Sequence, residues 1–275
     1  MTLNPEYCEC PFCNTLTTHL NVMSYSLHNV ESWSDGKVMD SNFNEYSNLL
    51  FTKCRNCNEL FWYSETKKIS DIELTRFRTT AEGNNAAQSF LAKHPDLLNA
   101  TENIPVNSYP FDEHWFAMPD YFIRDLQKML DNNSCNTLEK ETYIRIKLWQ
   151  HINDLVRFRK NTIFQHIKHS DGIKSLFNFS ILKKERATQK HKKALYLSLS
   201  EMRINNLTRL CQIFEQNSSD IDNKRMLIEL YRELKQFDKA QNCLKSIPSD
   251  NTFYLLFFSK TKLYLMQKSA RVFKV

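Results

Sequence analysis

Cys10-Pro11-Phe12-Cys13 and Cys54-Arg55-Asn56-Cys57 are the stretches on which the reading of this chain turns. Each is a cysteine pair with a two-residue spacer. That spacing lets both sulfurs of one turn face the same point in space. Two such pairs supply four thiolates, the donor set of a closed tetrahedral metal site with metal–sulfur distances of about 2.3 Å. An asparagine follows each pair, Asn14 and Asn58. A chain that wraps an ion often needs a left-handed residue at that point, and asparagine tolerates it better than most side chains. Cys10, Cys13, Cys54 and Cys57 are therefore the expected ligands of one structural zinc. Two other uses of the cysteines are inert burial and a thioredoxin-like redox pair. The redox reading needs only one pair, on a βαβ pattern that the sequence does not show.

The 40 residues between the pairs exceed the usual ribbon gap of ~15–20 and imply an elongated or inserted hairpin. Cys8, one residue removed from Cys10, has poorer spacing and is taken as a bystander. Cys135, Cys211 and Cys243 are isolated and read as small core residues.

Short apolar segments flank the cysteine pairs. Asn48-Leu49-Leu50-Phe51-Thr52 runs into the second pair, and Glu59-Leu60-Phe61-Trp62-Tyr63-Ser64 leaves it. This aromatic enrichment suits ribbon strands. Aromatics beside a metal can stack on bases, but here they are expected to form the minimal core of a domain that needs its metal. Trp33-Ser34-Asp35-Gly36-Lys37 carries an Asp-Gly step, a strong turn signal.

The chain has 275 residues, 41% hydrophobic and 25% charged, with three glycines. Gly36, Gly83 and Gly172 are too scattered for a glycine-rich phosphate loop. Met1 to Cys10 is polar and unlike a secretory leader. The longest apolar run, Phe253 to Phe258, is far short of the ~20 residues that span a bilayer. A cytoplasmic location, where thiols stay reduced, is expected.

Charge is unevenly spread. Residues 1–139 hold 10 Lys+Arg against 19 Asp+Glu, residues 140–203 hold 15 against 5, and residues 204–275 hold 12 against 7. The ribbon half is acidic and the rest basic, which suits either internal attraction or an acidic partner. Lys183-Lys184-Glu185-Arg186 and Lys190-His191-Lys192-Lys193 are the densest basic clusters.

Residues 67–117 are punctuated by Pro105, Pro110 and Pro119 just beyond, and read as an extended linker. His94, Asp112, Glu113 and His114 within it resemble an acid–base set. No nucleophile motif accompanies them, and exposed loop residues are the simpler reading. From Asp120 onward a helical period dominates. Apolar residues at 122, 123, 126, 129 and 130 predict one helix. Thr137 is the expected N-cap of a second, running to about Phe158 with Ile144, Leu148, Ile152 and Leu155 inward. Arg145, Lys147 and Arg157 fall on its other faces, where a solvated surface is expected. Leu207, Leu210, Cys211 and Phe214 form the stripe of a third.

Leu230-Tyr231-Arg232-Glu233-Leu234-Lys235-Gln236-Phe237-Asp238-Lys239-Ala240 looks like the centre of a tetratricopeptide repeat, spanning about 222–248. Such a repeat places an aromatic on its first helix, another at the start of the second, and a small residue where the two touch. Tyr231, Phe237 and Ala240 fill these places, with Leu244 continuing inward. Lys235 stands where glycine is usual. Pro248 makes the second helix short. One unit cannot bury its own faces, so helices near 195–216 and 252–266 are expected to flank it.

These motifs together resemble a family of uncharacterised bacterial proteins with an N-terminal zinc-ribbon-like region and C-terminal tetratricopeptide-like helices. The resemblance is carried by Cys10-Pro11-Phe12-Cys13, Ser32-Trp33-Ser34-Asp35-Gly36-Lys37, Cys54-Arg55-Asn56-Cys57 with Phe61-Trp62, Glu141-Thr142-Tyr143-Ile144-Arg145 and Glu229-Leu230-Tyr231-Arg232-Glu233-Leu234. It covers most of the chain except the basic connector and implies architecture, not activity.

The expected fold is α+β: a small β zinc ribbon over 1–66, the linker over 67–117, and a mainly α region over 118–275 with the helical hairpin near 222–248. The expected function is a non-enzymatic zinc-binding scaffold or adaptor, its helical hairpins taking a protein partner. The second reading is a nucleic-acid-associated factor using the basic 140–203 region. The acidic ribbon half opposes it. No membrane association is expected.

Overall fold

The structure, a computed structural model, describes residues 2–14, 16–24, 30–39, 49–54, 56–69, 119–157, 190–247 and 255–275. It divides into two units, Met1–Val30 with Met39–Met118, and Glu31–Val38 with Pro119–Val275. The candidate acid–base residues at 94 and 112–114, the prolines of the linker and the basic cluster at 183–186 lie outside the described residues.

In the first unit, β1 (Thr2–Glu9) pairs antiparallel with β2 (Leu16–Ser24), setting Cys8 opposite Thr17 and Glu9 opposite Leu16. β7 (Lys68–Ile69) adds to the other edge of β1, with Cys8 opposite Lys68. β5 (Phe51–Lys53) pairs antiparallel with β6 (Leu60–Trp62). Each cysteine pair therefore lies in the connection of a hairpin. Phe51 and Trp62 face one another across the second hairpin, their rings edge to face at 6.2 Å. Leu49, Phe51, Leu60, Phe61, Trp62 and Tyr63 are all buried. These aromatics form core, as expected, and Phe12, at the tip of the first turn, is the exposed exception.

The second unit contains the Trp33–Lys37 turn and, among the described residues, the six helices named below. β3 (Glu31–Ser32) and β4 (Val38–Met39) flank the Trp33–Lys37 turn. Gly36 adopts φ +77°, a conformation costly for any residue with a Cβ. The sequence reading grouped this turn with the ribbon, whereas Glu31–Val38 packs with the helices. The reason is largely polar: Ser34, Asp35 and Lys37 are buried, and Asp35 and Lys37 find partners on α2, while Ser34 finds its own on the C-terminal residues. The chain's last residues join the same edge. Ser34 N–H donates to Phe273 O at 2.9 Å, and Val275 N–H donates to Ser32 O at 2.7 Å.

α1 (Pro119–Asp131) buries Phe122, Ile123, Leu126 and Met129, the expected stripe. α2 (Leu138–Asp154) opens on Thr137, whose hydroxyl accepts from Lys140 N–H at 3.3 Å. It buries Ile144, Leu148, Trp149 and Ile152. It ends at Asp154 rather than near Phe158, where the N–H groups of Leu155 and Val156 tighten to three-residue bonds with Ile152 O and Asn153 O. Arg157 is thereby turned into the interior instead of standing on a solvated face.

A helical stretch at 190–198 leads into α3 (Ser200–Gln216), which buries Leu207, Leu210, Cys211 and Phe214. α4 (Ile221–Glu233) begins at the N-cap Asp220, whose carboxylate accepts from Asn223 N–H at 3.2 Å. α5 (Phe237–Lys245) follows after a turn in which Lys235 has φ +60°. The turn is a Schellman motif: Gln236 N–H reaches Tyr231 O at 2.8 Å and Lys235 N–H reaches Arg232 O at 3.0 Å. Lysine thus occupies the left-handed position that favours glycine.

Ala240 is fully buried in the α3–α4–α5 core, and Leu244 packs against the same core. Phe237 is only half-buried. It is the first residue of α5. α6 (Leu255–Met266) packs on α5 and closes with a second Schellman turn at Lys268. No described helix is long and apolar enough to cross a membrane.

Candidate metal centre and a buried polar cluster

The two cysteine turns have the same local geometry. Asn14 N–H donates to Cys10 O and Asn58 N–H to Cys54 O, each at 2.9 Å. Asn14 and Asn58 take φ of 58° and 60°, as the sequence led one to expect. This conformation curls each turn so that its two sulfurs converge. The sulfurs of Cys10, Cys13, Cys54 and Cys57 all lie within 4.8 Å of one another. Across the turns, Cys13 and Cys54 stand at 3.5 Å and Cys10 and Cys57 at 3.7 Å.

Four sulfurs at about 2.3 Å from a tetrahedral ion stand about 3.8 Å apart. The observed separations suit that arrangement, so the donor set fits a metal ion. Burial pushes the Cys10 and Cys57 thiols upward, and a cation is what would make four adjacent thiolates tolerable. Cys8 is buried beside this cluster but outside the set of four, its thiol directed to Thr17 O at 3.5 Å. Among the isolated cysteines, Cys211 is buried in the helical core, and Cys135 and Cys243 are half-buried.

A second constellation escaped the sequence reading. Asp35 Oδ2 accepts from Arg157 and, at 3.0 Å, from Asn153 Nδ2. Its Oδ1 accepts from Lys37 N–H at 3.3 Å, and its backbone oxygen accepts from Gln150 Nε2 at 3.2 Å. Lys37 Nζ pairs with Asp154. Glu233 Oε1 accepts from Trp149 Nε1 and from Asn153 Nδ2, both at 3.0 Å, and Arg203 lies 3.5 Å from Oε2. Glu229 and Arg232 form a fully buried pair, and the Arg232 guanidinium lies 5.1 Å from the Phe273 ring centre and 5.6 Å from that of Tyr264.

Four carboxylates (Asp35, Asp154, Glu229, Glu233) thus meet four cations (Lys37, Arg157, Arg203, Arg232). The formal charges balance, and each carboxylate has a cation beside it. The cluster's chemistry is that of a fastener, setting the turn's position against α2 and α4. Burial raises the Asp35 carboxyl despite Arg157, raises Glu233 to about 7, and holds His151 well below its usual value.

In sequence each of these residues resembles surface. Only the fold shows that Ser32–Lys37 and Glu229–Leu234 share one interior. Both stretches do stand among the motifs that carry the family resemblance, which was the one available signal.

No protein-family model matches this chain, and no curated protein or solved structure matches it either. The likeness to the bacterial family therefore stays at the level of motifs. What the structure defines is a mixed α+β chain with a four-cysteine cluster able to hold a metal ion and a mostly helical remainder.

Proposed function

We propose that the protein is a non-enzymatic adaptor, with a zinc-ribbon-like unit built on one structural zinc and tetratricopeptide-like helices that bind another protein. The observation that supports this best is the four-cysteine cluster. A tetrahedral zinc held by four thiolates has no open position for water or substrate, which suits a structural role. The α4–α5 hairpin, with Ala240 buried in its core and helices on either side, supports the repeat-like reading. The cytoplasmic location belongs to the same reading, since it keeps thiols free for metal.

The nucleic-acid reading draws less support. Arg145 pairs with Glu141, Arg157 with Asp35 and Arg203 with Glu233. The three described arginines between 140 and 203 are thereby neutralised within the unit, although Lys190 and Lys193 remain exposed.

Elemental analysis of the purified full chain tests the metal. One zinc per chain is expected, lost in Cys54→Ser and kept in Cys8→Ser. Metal-free protein, or the reverse pattern in the two variants, defeats the assignment. Affinity capture from the source cell tests the adaptor role. A stoichiometric protein partner is expected, and retention of nucleic acid alone contradicts it.

A further inference from the structure

α6 shows two different faces. Phe257 and Thr261 are buried, and Phe258 and Leu265 pack on the helical core. On the opposite side Leu256, Leu263 and Met266 are 57%, 50% and 77% exposed, with Ser259 exposed between them. These four residues follow at steps of three, four and three. That is the seam spacing of one helix meeting another, and the small Ser259 permits close approach midway along it. Lys262 and Lys268 are exposed beside the seam, and Lys260 is half-exposed. The whole stretch 251–275 holds Lys260, Lys262, Lys268, Arg271 and Lys274 and not one Asp or Glu.

We infer that the outer face of α6 is a docking surface for an acidic amphipathic helix of a partner protein. The inference rests on the adaptor reading and names its surface and partner class. Seam spacing selects a helix as the occupant. Lys274 is paired with Glu31, but the exposed Lys262 and Lys268 beside the seam select carboxylates along the edges of that helix. A second copy of α6 would oppose lysine to lysine. A membrane surface would favour bulky aromatic anchors on the outer face, but the α6 aromatics Phe257, Phe258 and Tyr264 are turned fully or partly inward.

The test uses the full, zinc-loaded chain and two fluorescent peptides of roughly 20 residues, leucine along one seam, with glutamate or lysine along its edges. Anisotropy is read at concentrations where the peptides are monomeric. The glutamate peptide should bind roughly tenfold tighter than the lysine peptide and weaken as salt rises. Leu263→Glu should cost about tenfold or more, while Leu197→Glu, on an exposed site elsewhere, should cost nothing. Equal binding of the two peptides, or an unchanged Leu263→Glu, overturns the inference. So does anionic-vesicle binding, or a concentration-dependent dimer, that Leu263→Glu abolishes while the glutamate peptide stays unbound. If the peptide fails yet wild type and Leu263→Glu capture the same partner from cells, this surface is wrong and the adaptor reading stands.

Discussion

Asp35, on the Trp33–Lys37 turn, and Glu233, at the end of α4, accept hydrogens from one and the same amide: Asn153 Nδ2 lies 3.0 Å from each carboxylate. Two buried carboxylates drawn together would repel. The shared amide separates them, and Arg157 and Arg203 balance their charges from either side. A stretch lying in sequence between the two cysteine pairs is thus fastened to α2 and α4.

Removal of Asp35 should therefore damage the helices and spare the metal. Asp35→Ala takes from the buried Arg157 one of its two carboxylates, Asp154 remaining 3.3 Å from Nε, so the loss should fall somewhat below the ~3–5 kcal/mol of a fully broken buried pair. The expected outcome is a clear fall in melting temperature with zinc content unchanged. Zinc loss at an unchanged melting temperature would place the turn in the ribbon after all.

Glu233 should leave a signature in the pH dependence of stability. It ionises near 4.5 when unfolded and about 7 when folded, burial being the main cause. Between those values the folded state keeps a proton that the unfolded state has released. Its contribution is complete below pH 4.5 and is lost as pH rises through 7. His151 acts in the opposite sense. Burial depresses it, so its contribution is lost as pH falls through the usual 6.5. Glu233→Gln removes the first slope and exposes the second. Relative to wild type, the variant should lose about 2 kcal/mol between pH 7 and pH 5.5, at about 1.4 kcal/mol per unit. Parallel melting curves across that range would refute the assignment.

Ala240 should reject a larger side chain. It is fully buried between α4 and α5, and Ala240→Leu should cost about 1–3 kcal/mol by overpacking. Phe237, half-buried at the start of α5, should cost less on truncation than a core phenylalanine, below the usual ~3–5 kcal/mol. Urea unfolding of both variants checks the order. Equal losses would mean that the two positions are equally enclosed.

Lys235 offers a gain. Its φ of +60° sits at the left-handed position of a helix end, where a side chain costs on the order of 1 kcal/mol. Lys235→Gly should raise stability by a little less than that, since glycine also frees the unfolded chain. A lowered melting temperature would show that the lysine side chain makes a compensating contact.

Local chemistry was legible in the chain. The two-residue cysteine spacers with Asn14 and Asn58 specified both turns, because sulfur convergence depends on a few adjacent dihedrals. Thr137 as a cap, the stripe at 122–129 and Ala240 at a helix contact were legible for the same reason: each follows from residues within two helical turns. Asp35, Lys37, Asn153, Arg157, Arg203 and Glu233 were not. A charged residue reads as surface until its partner is known, and these partners lie far apart along the chain. Which charges are buried depends on all of them meeting at once, and that was settled only by the packing of the Trp33–Lys37 turn against α2 and α4.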